Sequence, residues 1–437
     1  MQKKFEPPKG TRDFPPGSMT VRENIISRIE KVFNLYGFKR WDGPAFEYLE
    51  TLTKKSSPEI VKEIYAFKDK KDRDLGLRFE LTTSLSRIIA ANSRLPRPVK
   101  AWSGGKVWRY ENTQKGRYRE FLQMDADIFG SVNPETETEL LLLASSVLSS
   151  LNFDNCILLL NDRRILNSLM DLCKVPEEKR LDMLRSLDKL PKIGPENVKH
   201  ELFQKGFQSE VFEKIFSIIK HIKESSFPLK ETENILKDYP EAINGIKALL
   251  FIQNNLESIE TQFKIYFEPS LVRGFDYYTG PVYEIRVKGM EDIGSISGGG
   301  RYDNLVKLFG GEDIPAAGIS FGIERIMDII ENSSERKKFF EPQPEGVLIV
   351  SLGDNTIKDS FIIAEKLRKE GIPAETDLMK RSFKKQLQTA IEKNFKWVLI
   401  IGEEELKTRL FPLKRLSDGS QSIVSILDAI NIIKEKK

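Results

Sequence analysis

Between Lys106 and Gly130 the chain reads KVWRYENTQKGRYREFLQMDADIFG, and its side chains sort by parity. Successive residues of a strand point to opposite faces. In the second half, Leu122, Met124, Ala126 and Ile128 share one face; Phe121, Gln123, Asp125 and Asp127 share the other. The polar, glycine-containing stretch from Asn112 to Arg117 predicts a turn that joins two strands into a hairpin. If the hairpin folds about Lys115, odd positions oppose odd positions, and Arg109 and Glu111 join the polar face. Carboxylates, an amide, an arginine and an aromatic ring are poor material for a core. They are good material for the floor of a site that binds a small polar ligand. Lys115, Arg117 and Arg119 add cations suited to phosphate. Taken alone, the stretch reads equally as an ordinary hairpin with a solvated face.

Three other stretches carry residues of the same kind. Glu59 to Thr83 predicts two short strands around a charged turn, with Glu80 and Thr82 on one side of the second. Farther on, LVRGFDYYTGPVYEIRV sets Arg273 and the Tyr277-Tyr278 pair between two strands, ahead of the glycine-rich SGGGRYDNLVKLFGG. A run of glycines marks a place where backbone passes closely. PAAGISFGIERIMDII then predicts a strand feeding a helix, with Ile323, Ile326, Met327 and Ile330 on its buried face. Arg325 falls in that helix's first turn, against the helix dipole, which points to a compensating role.

The elements around these stretches follow from pattern. Ser18 is an expected N-cap for a helix ending near Gly37, with Ile25, Ile29, Val32, Phe33 and Tyr36 on one face. FKRWDGPAFEYLE is an extended piece broken at Pro44, an edge or irregular strand. A leucine-rich helix after Pro134 and a short strand, CILLLN, follow the hairpin. From 162 to 260 the texture changes to lysine-bearing helices divided by prolines, an inserted helical domain of ordinary size. The core resumes over 261–330, after a first part at 1–161. Residues 331–345, rich in charge and proline, predict a linker. Beyond it, 346–437 alternates βαβαβα, the pattern of a small α/β domain with a mostly parallel sheet.

Composition excludes several classes. A charged fraction of 31% beside 40% hydrophobic residues is that of a globular chain, and a net charge of +4 leaves any nucleic acid to local basic patches. Cys156 and Cys173 stand singly and the histidines are His200 and His221 alone, so no zinc site is expected. The opening MQKKFEPPKGTRDFPPG has no apolar core and no run approaches eighteen apolar residues, so neither a secretory signal nor a membrane span is expected. A reducing cytoplasm fits best.

In this order the motifs carry a family likeness. Arg109-Tyr110-Glu111, the loop with Arg117, then Arg119-Glu120-Phe121 resembles the second signature motif of class II aminoacyl-tRNA synthetases. The tail Phe121-Leu122-Gln123-Met124-Asp125-Ala126-Asp127 is similar to the histidyl-tRNA synthetase version. The Arg273 stretch followed by Gly-Gly-Gly-Arg-Tyr-Asp resembles the two peptides that set that family apart, and the Arg325 stretch resembles the third class II motif. Arg78-Phe79-Glu80-Leu81-Thr82 stands where bacterial members read Arg-Pro-Glu-Gly-Thr, nearer the eukaryotic and archaeal style.

The resemblance implies an α+β catalytic core on an antiparallel sheet, a helical insertion and a C-terminal α/β anticodon-binding domain. It implies an ATP-dependent ligase that joins L-histidine to tRNA(His), with ATP as substrate, Mg2+ bridging phosphates, a cytoplasmic homodimer whose interface includes FKRWDGPAFEYLE, and no membrane partner. By family likeness Arg109 and Arg273 take the α-phosphate, and Arg117 and Arg325 the β- and γ-phosphates. Phe121 stacks on adenine and Glu111 holds its amino group. Glu80, Leu81, Thr82, Arg109, Gln123, Asp127, Arg273, Tyr277 and Tyr278 line the histidine pocket. Rival readings are another class II synthetase, a histidine-binding regulatory paralogue that charges no tRNA, and an α/β binding protein without catalysis. The paralogue would typically lack the C-terminal domain.

Overall fold

The computed structural model describes residues 5–435, apart from 55–57, 93, 275 and 342. Met1 to Lys4 of the opening stretch, Phe275 of the arginine–tyrosine stretch and Pro342 of the expected linker therefore lie outside the described residues. Two compact units divide the chain, the first reaching to Phe340 and the second beginning at Glu341.

The first unit is built on an eight-stranded sheet. Its middle is antiparallel: Val99–Trp108, Glu120–Phe129, Ala316–Gly322, Ser297–Arg301, Pro281–Val287 and Cys156–Asp162 lie side by side in that order. Lys39–Arg40 and Phe263–Phe267 add parallel pairings at the two edges. The expected hairpin is present, and Gly105 opposes Gln123 and Val107 opposes Phe121, so odd faces odd. Met124, Ala126 and Ile128 are buried in the main core with Ile25, Ile29 and Phe33 of the first helix, with Leu122 packed against it. That core covers one face of the sheet and leaves the Phe121–Asp127 face to the cleft.

Local details depart from expectation. The first helix runs Pro16–Leu35, starting two residues before Ser18 with proline in its first turn, where the missing N–H costs nothing. The strands expected in 59–83 are Ala66–Lys68 and Asp74–Leu77. Glu80 falls in the connection beyond them, and Thr82 begins a helix, Thr82–Ala90, not a strand. No strand lies between Asp162 and Phe263 among the described residues, so the middle segment is helical as read. Its helices split between two cores. Ala242, Ile246 and Leu249 of Pro240–Glu257 join the sheet's core, whereas Leu184, Leu187 and Ile219 form a second cluster. Of the expected linker 331–345, the part 334–339 is a short helix, and Phe340 is buried in the main core.

The second unit has a five-stranded sheet. Ala374–Thr376, Glu345–Ser351 and Phe395–Ile401 pair in parallel, as the alternation predicts. The sequence reading missed a hairpin, Phe411–Arg415 with Gln421–Val424, which adds two antiparallel strands. Its polar alternation reads as loop until Phe411 and Leu413 are seen buried in the unit's core.

Candidate active site

One cleft of ≈1080 Å³ takes its floor from the sheet's polar face and its walls from the Glu80 connection, the hairpin turn and the Arg273 loop. Phe121, Gln123, Asp125 and Asp127 all line it, as do Arg109, Glu111, Arg117, Thr82, Tyr277, Tyr278, Arg273 and Arg325. Leu81 does not. It is buried at the entry to the Thr82–Ala90 helix, where its carbonyl accepts the Leu85 N–H. Arg119 also turns away from the cleft: its guanidinium lies 4.2 Å over the Tyr110 ring and bonds the Glu111 carbonyl.

One end of the cleft is acidic and deeply buried. Glu80, Asp125 and Asp127 are 6%, 2% and 1% exposed. Tyr277 donates to Glu80 Oε2 at 2.6 Å, and Thr83 donates to its other oxygen. Tyr302 donates to Asp127 Oδ1, while Asp127 Oδ2 and Asp125 Oδ1 are buried with no hydrogen-bond partner. Burial raises the pKa of each carboxyl. For Asp125 it reaches about 7, burial acting first and the Glu80 charge adding to it. For Asp127 burial and then Asp125 push it well above the ordinary range. Buried carboxyls crowded together resist ionising until a cation arrives. Beside them, Gln123 donates to Ser320 Oγ at 2.7 Å and leaves its carbonyl oxygen unpaired.

Glycine makes room along the floor of the cleft, both beside Asp127 and beside Arg273. A Cβ on Gly318 would stand 1.9 Å from Asp127 Oδ1, and one on Gly298 2.7 Å from an Arg273 nitrogen. Neighbouring side chains therefore lie flat where these residues would otherwise project.

The other end is basic. Arg109 is held by the Phe79 carbonyl at 3.1 Å and sandwiched between the Phe79 and Phe121 rings, at 4.6 and 5.0 Å. A base stacked on Phe121 without displacing Arg109 takes the ring's other face. Glu111 accepts an ion pair from Arg117 at 3.2 Å and lies 3.9 Å from Arg109. Arg325 is fixed by two backbone carbonyls, Gly116 and Ser295, both at 2.7 Å. Burial, then Arg109 and Arg117, lower its pKa to about 10, so it stays charged at neutral pH. Arg273 bonds Glu284 at 2.9 Å. Burial alone would lower its pKa, but Tyr278 and Glu284 outweigh it and hold it above the ordinary value. At the mouth Lys115 pairs with Asp292 at 2.6 Å.

Sequence reading missed Tyr302 and Glu284. Tyr302 lies in the Gly-Gly-Gly-Arg-Tyr-Asp run, and Glu284 is, with Arg286, one of two charged residues in an otherwise largely apolar strand, Pro281–Val287. A charge at such a place is the signal that points to a partner.

Comparison with known proteins decides the family. A family model for histidyl-tRNA synthetase matches residues 10–326. The chain belongs to the histidyl-tRNA synthetase family. A second model, for the anticodon binding domain, matches residues 346–436. The histidine–tRNA ligase of Aeropyrum pernix is 36% identical, over 98% of this chain and 97% of that one. The cytoplasmic histidine–tRNA ligase of Oryza sativa is 34% identical over 98% of this chain and 54% of its own. The crystal structure of histidyl-tRNA synthetase from Nostoc sp. PCC 7120 superposes with a TM-score of 0.79 at 25% identity, covering 99% of each chain.

Proposed function

We propose that this chain is an ATP-dependent ligase that activates L-histidine as histidyl-adenylate and transfers the histidyl group to the 3′ end of tRNA(His). The observation that carries the proposal is the cleft's division of charge. Buried carboxyls with unpaired oxygens on Asp125 and Asp127 stand at one end, where an ammonium and an imidazole N–H supply what they lack; arginines already braced by their neighbours converge at the other, where their charge suits phosphates.

In the first step the histidine carboxylate attacks the α-phosphorus of ATP and pyrophosphate leaves. The nucleophile is already an anion, so the protein needs no general base. It must hold the reactants in line and neutralise the charge that grows on phosphate. Arg109 and Arg273, each braced by a second contact, are assigned to the α-phosphate. Arg117 and Arg325 are assigned to the β- and γ-phosphates, Phe121 to the adenine ring and Glu111 to its amino group. Glu80, Thr82, Gln123, Asp127, Tyr277 and Tyr278 are assigned to histidine. Asp125 is added to that set, because its unpaired oxygen lies on the same floor. Magnesium bound with the nucleotide would add to the charge neutralisation that Arg117 and Arg325 supply at the β- and γ-phosphates. In the second step the terminal ribose hydroxyl of tRNA attacks the activated carbonyl and AMP leaves.

Supporting the tRNA assignment is the second unit, whose Lys380, Arg381, Lys384 and Lys385 lie close together in sequence. A regulatory paralogue that binds histidine without charging tRNA leaves that unit without a task. A homodimer is proposed through the face that carries Phe46, Tyr48 and Phe67, three rings left 51%, 48% and 43% exposed. Light scattering on the purified chain tests it. A cytoplasmic location is proposed from the likeness to the rice protein. The deciding experiment is histidine-dependent exchange of pyrophosphate into ATP, followed by charging of tRNA(His). Exchange that ignores histidine would refute the activity; exchange without charging would favour the paralogue.

A further inference from the structure

The loop that carries Arg273 is tied to two different clusters. Val272, immediately before Arg273, is 3% exposed and packs in the helical segment's own cluster, with Leu184, Leu187 and Ile219. Leu271, Tyr277 and Tyr278 pack in another cluster, against Leu85, Ile89 and Tyr302 of the catalytic unit. Between them Asp276 accepts an ion pair from Arg185 at 2.8 Å. Arg185 sits on the first of two helices that meet at a kink at Gly194 within Arg180–Gln204, and reaches the loop with only 23% of its side chain exposed; Asp276 is 14% exposed. A half-buried pair is screened less than a surface one. Arg163, at the start of the helical segment, also faces Asp276 and donates its backbone N–H to the Gly280 carbonyl at 2.9 Å.

We infer that the helical segment is a positioning element for amino-acid activation: Arg185, through Asp276, and the apolar seat of Val272 set where Arg273 stands in the cleft. Arg185 touches no reacting atom in this scheme. It acts by narrowing the loop's conformations, so that Arg273 meets the α-phosphate without first paying to be ordered. The segment therefore contributes to a step that needs no tRNA. The inference rests on the proposed activation chemistry and goes beyond it.

The test is pyrophosphate exchange by the full chain, without tRNA, with rates expressed per active site from the adenylate burst so that misfolded protein drops out. Wild-type exchange that depends on histidine must come first; its absence would remove the activity itself, not this coupling. Arg185→Gln should lower kcat about tenfold, the scale of a sub-ångström misplacement, with the KM for ATP changed by less than about twofold. Arg185→Lys should restore most of the loss. The double variant Arg185→Gln/Asp276→Asn should be no slower than Asp276→Asn alone, because both changes cut one connection. Arg185→Gln with wild-type kcat, or losses that multiply in the double variant, would overturn the coupling.

Discussion

Asp127→Asn isolates the acidic end of the cleft. Asparagine keeps the shape, and its carbonyl oxygen can still accept from Tyr302, so the sheet floor and the tight approach of Gly318 are preserved. What changes is the buried Oδ2, which has no hydrogen-bond partner and faces the cleft. A hydrogen bond to a charged group contributes about 1.5–3 kcal/mol, so the variant should weaken histidine binding about tenfold to 150-fold. Stability should move the other way. Burial, then Asp125, raise the Asp127 pKa above its unfolded value near ~3.9. A carboxyl with a raised folded pKa costs stability as pH climbs from the unfolded value, and the full cost is present above the folded one. Asparagine has no such cost, so the ligand-free variant should unfold at a higher temperature than wild type at pH 8. The assay is pyrophosphate exchange with histidine varied at saturating ATP, then the reverse, beside thermal unfolding without ligand. A raised KM for ATP with an unchanged KM for histidine would refute the assignment of this face; a lowered Tm would refute the electrostatic account.

Because Asp125 titrates near pH 7 before ligand arrives and should ionise against a bound cation, histidine binding should release a proton and tighten between pH 6 and 8. Calorimetry in buffers of different ionisation enthalpy measures that proton, and an equal count in Asp125→Asn would assign it elsewhere. Arg325→Lys cannot span the Gly116 and Ser295 carbonyls with one ammonium, so the KM for ATP should rise about tenfold while that for histidine holds. Parallel rises in both constants would show that Arg325 shapes the whole cleft. A chain stopped after Phe340, which belongs to the first unit's core, should keep histidine-dependent exchange and lose most tRNA charging. Equal charging by the short and full chains would give the second unit another task.

The floor of the site was legible because strand parity is a local property: Phe121, Gln123, Asp125 and Asp127 share a face whatever else the chain does. Glu80 was not legible in the same way. Standing between Phe79 and Leu81, it reads as an outward carboxylate on a strand, yet it is buried at a helix entry by Tyr277, a partner far along the chain. Burial that depends on a distant residue leaves no local trace. The same holds for Tyr302 beneath Asp127 and for Arg185 against Asp276. Leu81 was carried into the pocket by family likeness, and its own geometry puts it in the protein interior. In the second unit, strong apolar runs announced the parallel strands, whereas FPLKR and QSIV carried too little hydrophobic contrast to stand out from loop.

The glycines beneath the cleft impose a direction on change. A pocket walled by side chains can be widened by trimming one; a pocket floored by residues without side chains has nothing there left to trim. Any replacement at Gly298 or Gly318 can only subtract space, beginning with the Cβ that would stand 1.9 Å from Asp127 Oδ1. Room for a larger amino acid would have to come from Tyr277 or Tyr302, and each of those rings also holds a carboxyl in place. Mutation thus meets a one-way valve: single steps toward smaller substrates lie open, and a step toward larger ones must dismantle the hydrogen bonds that define the site.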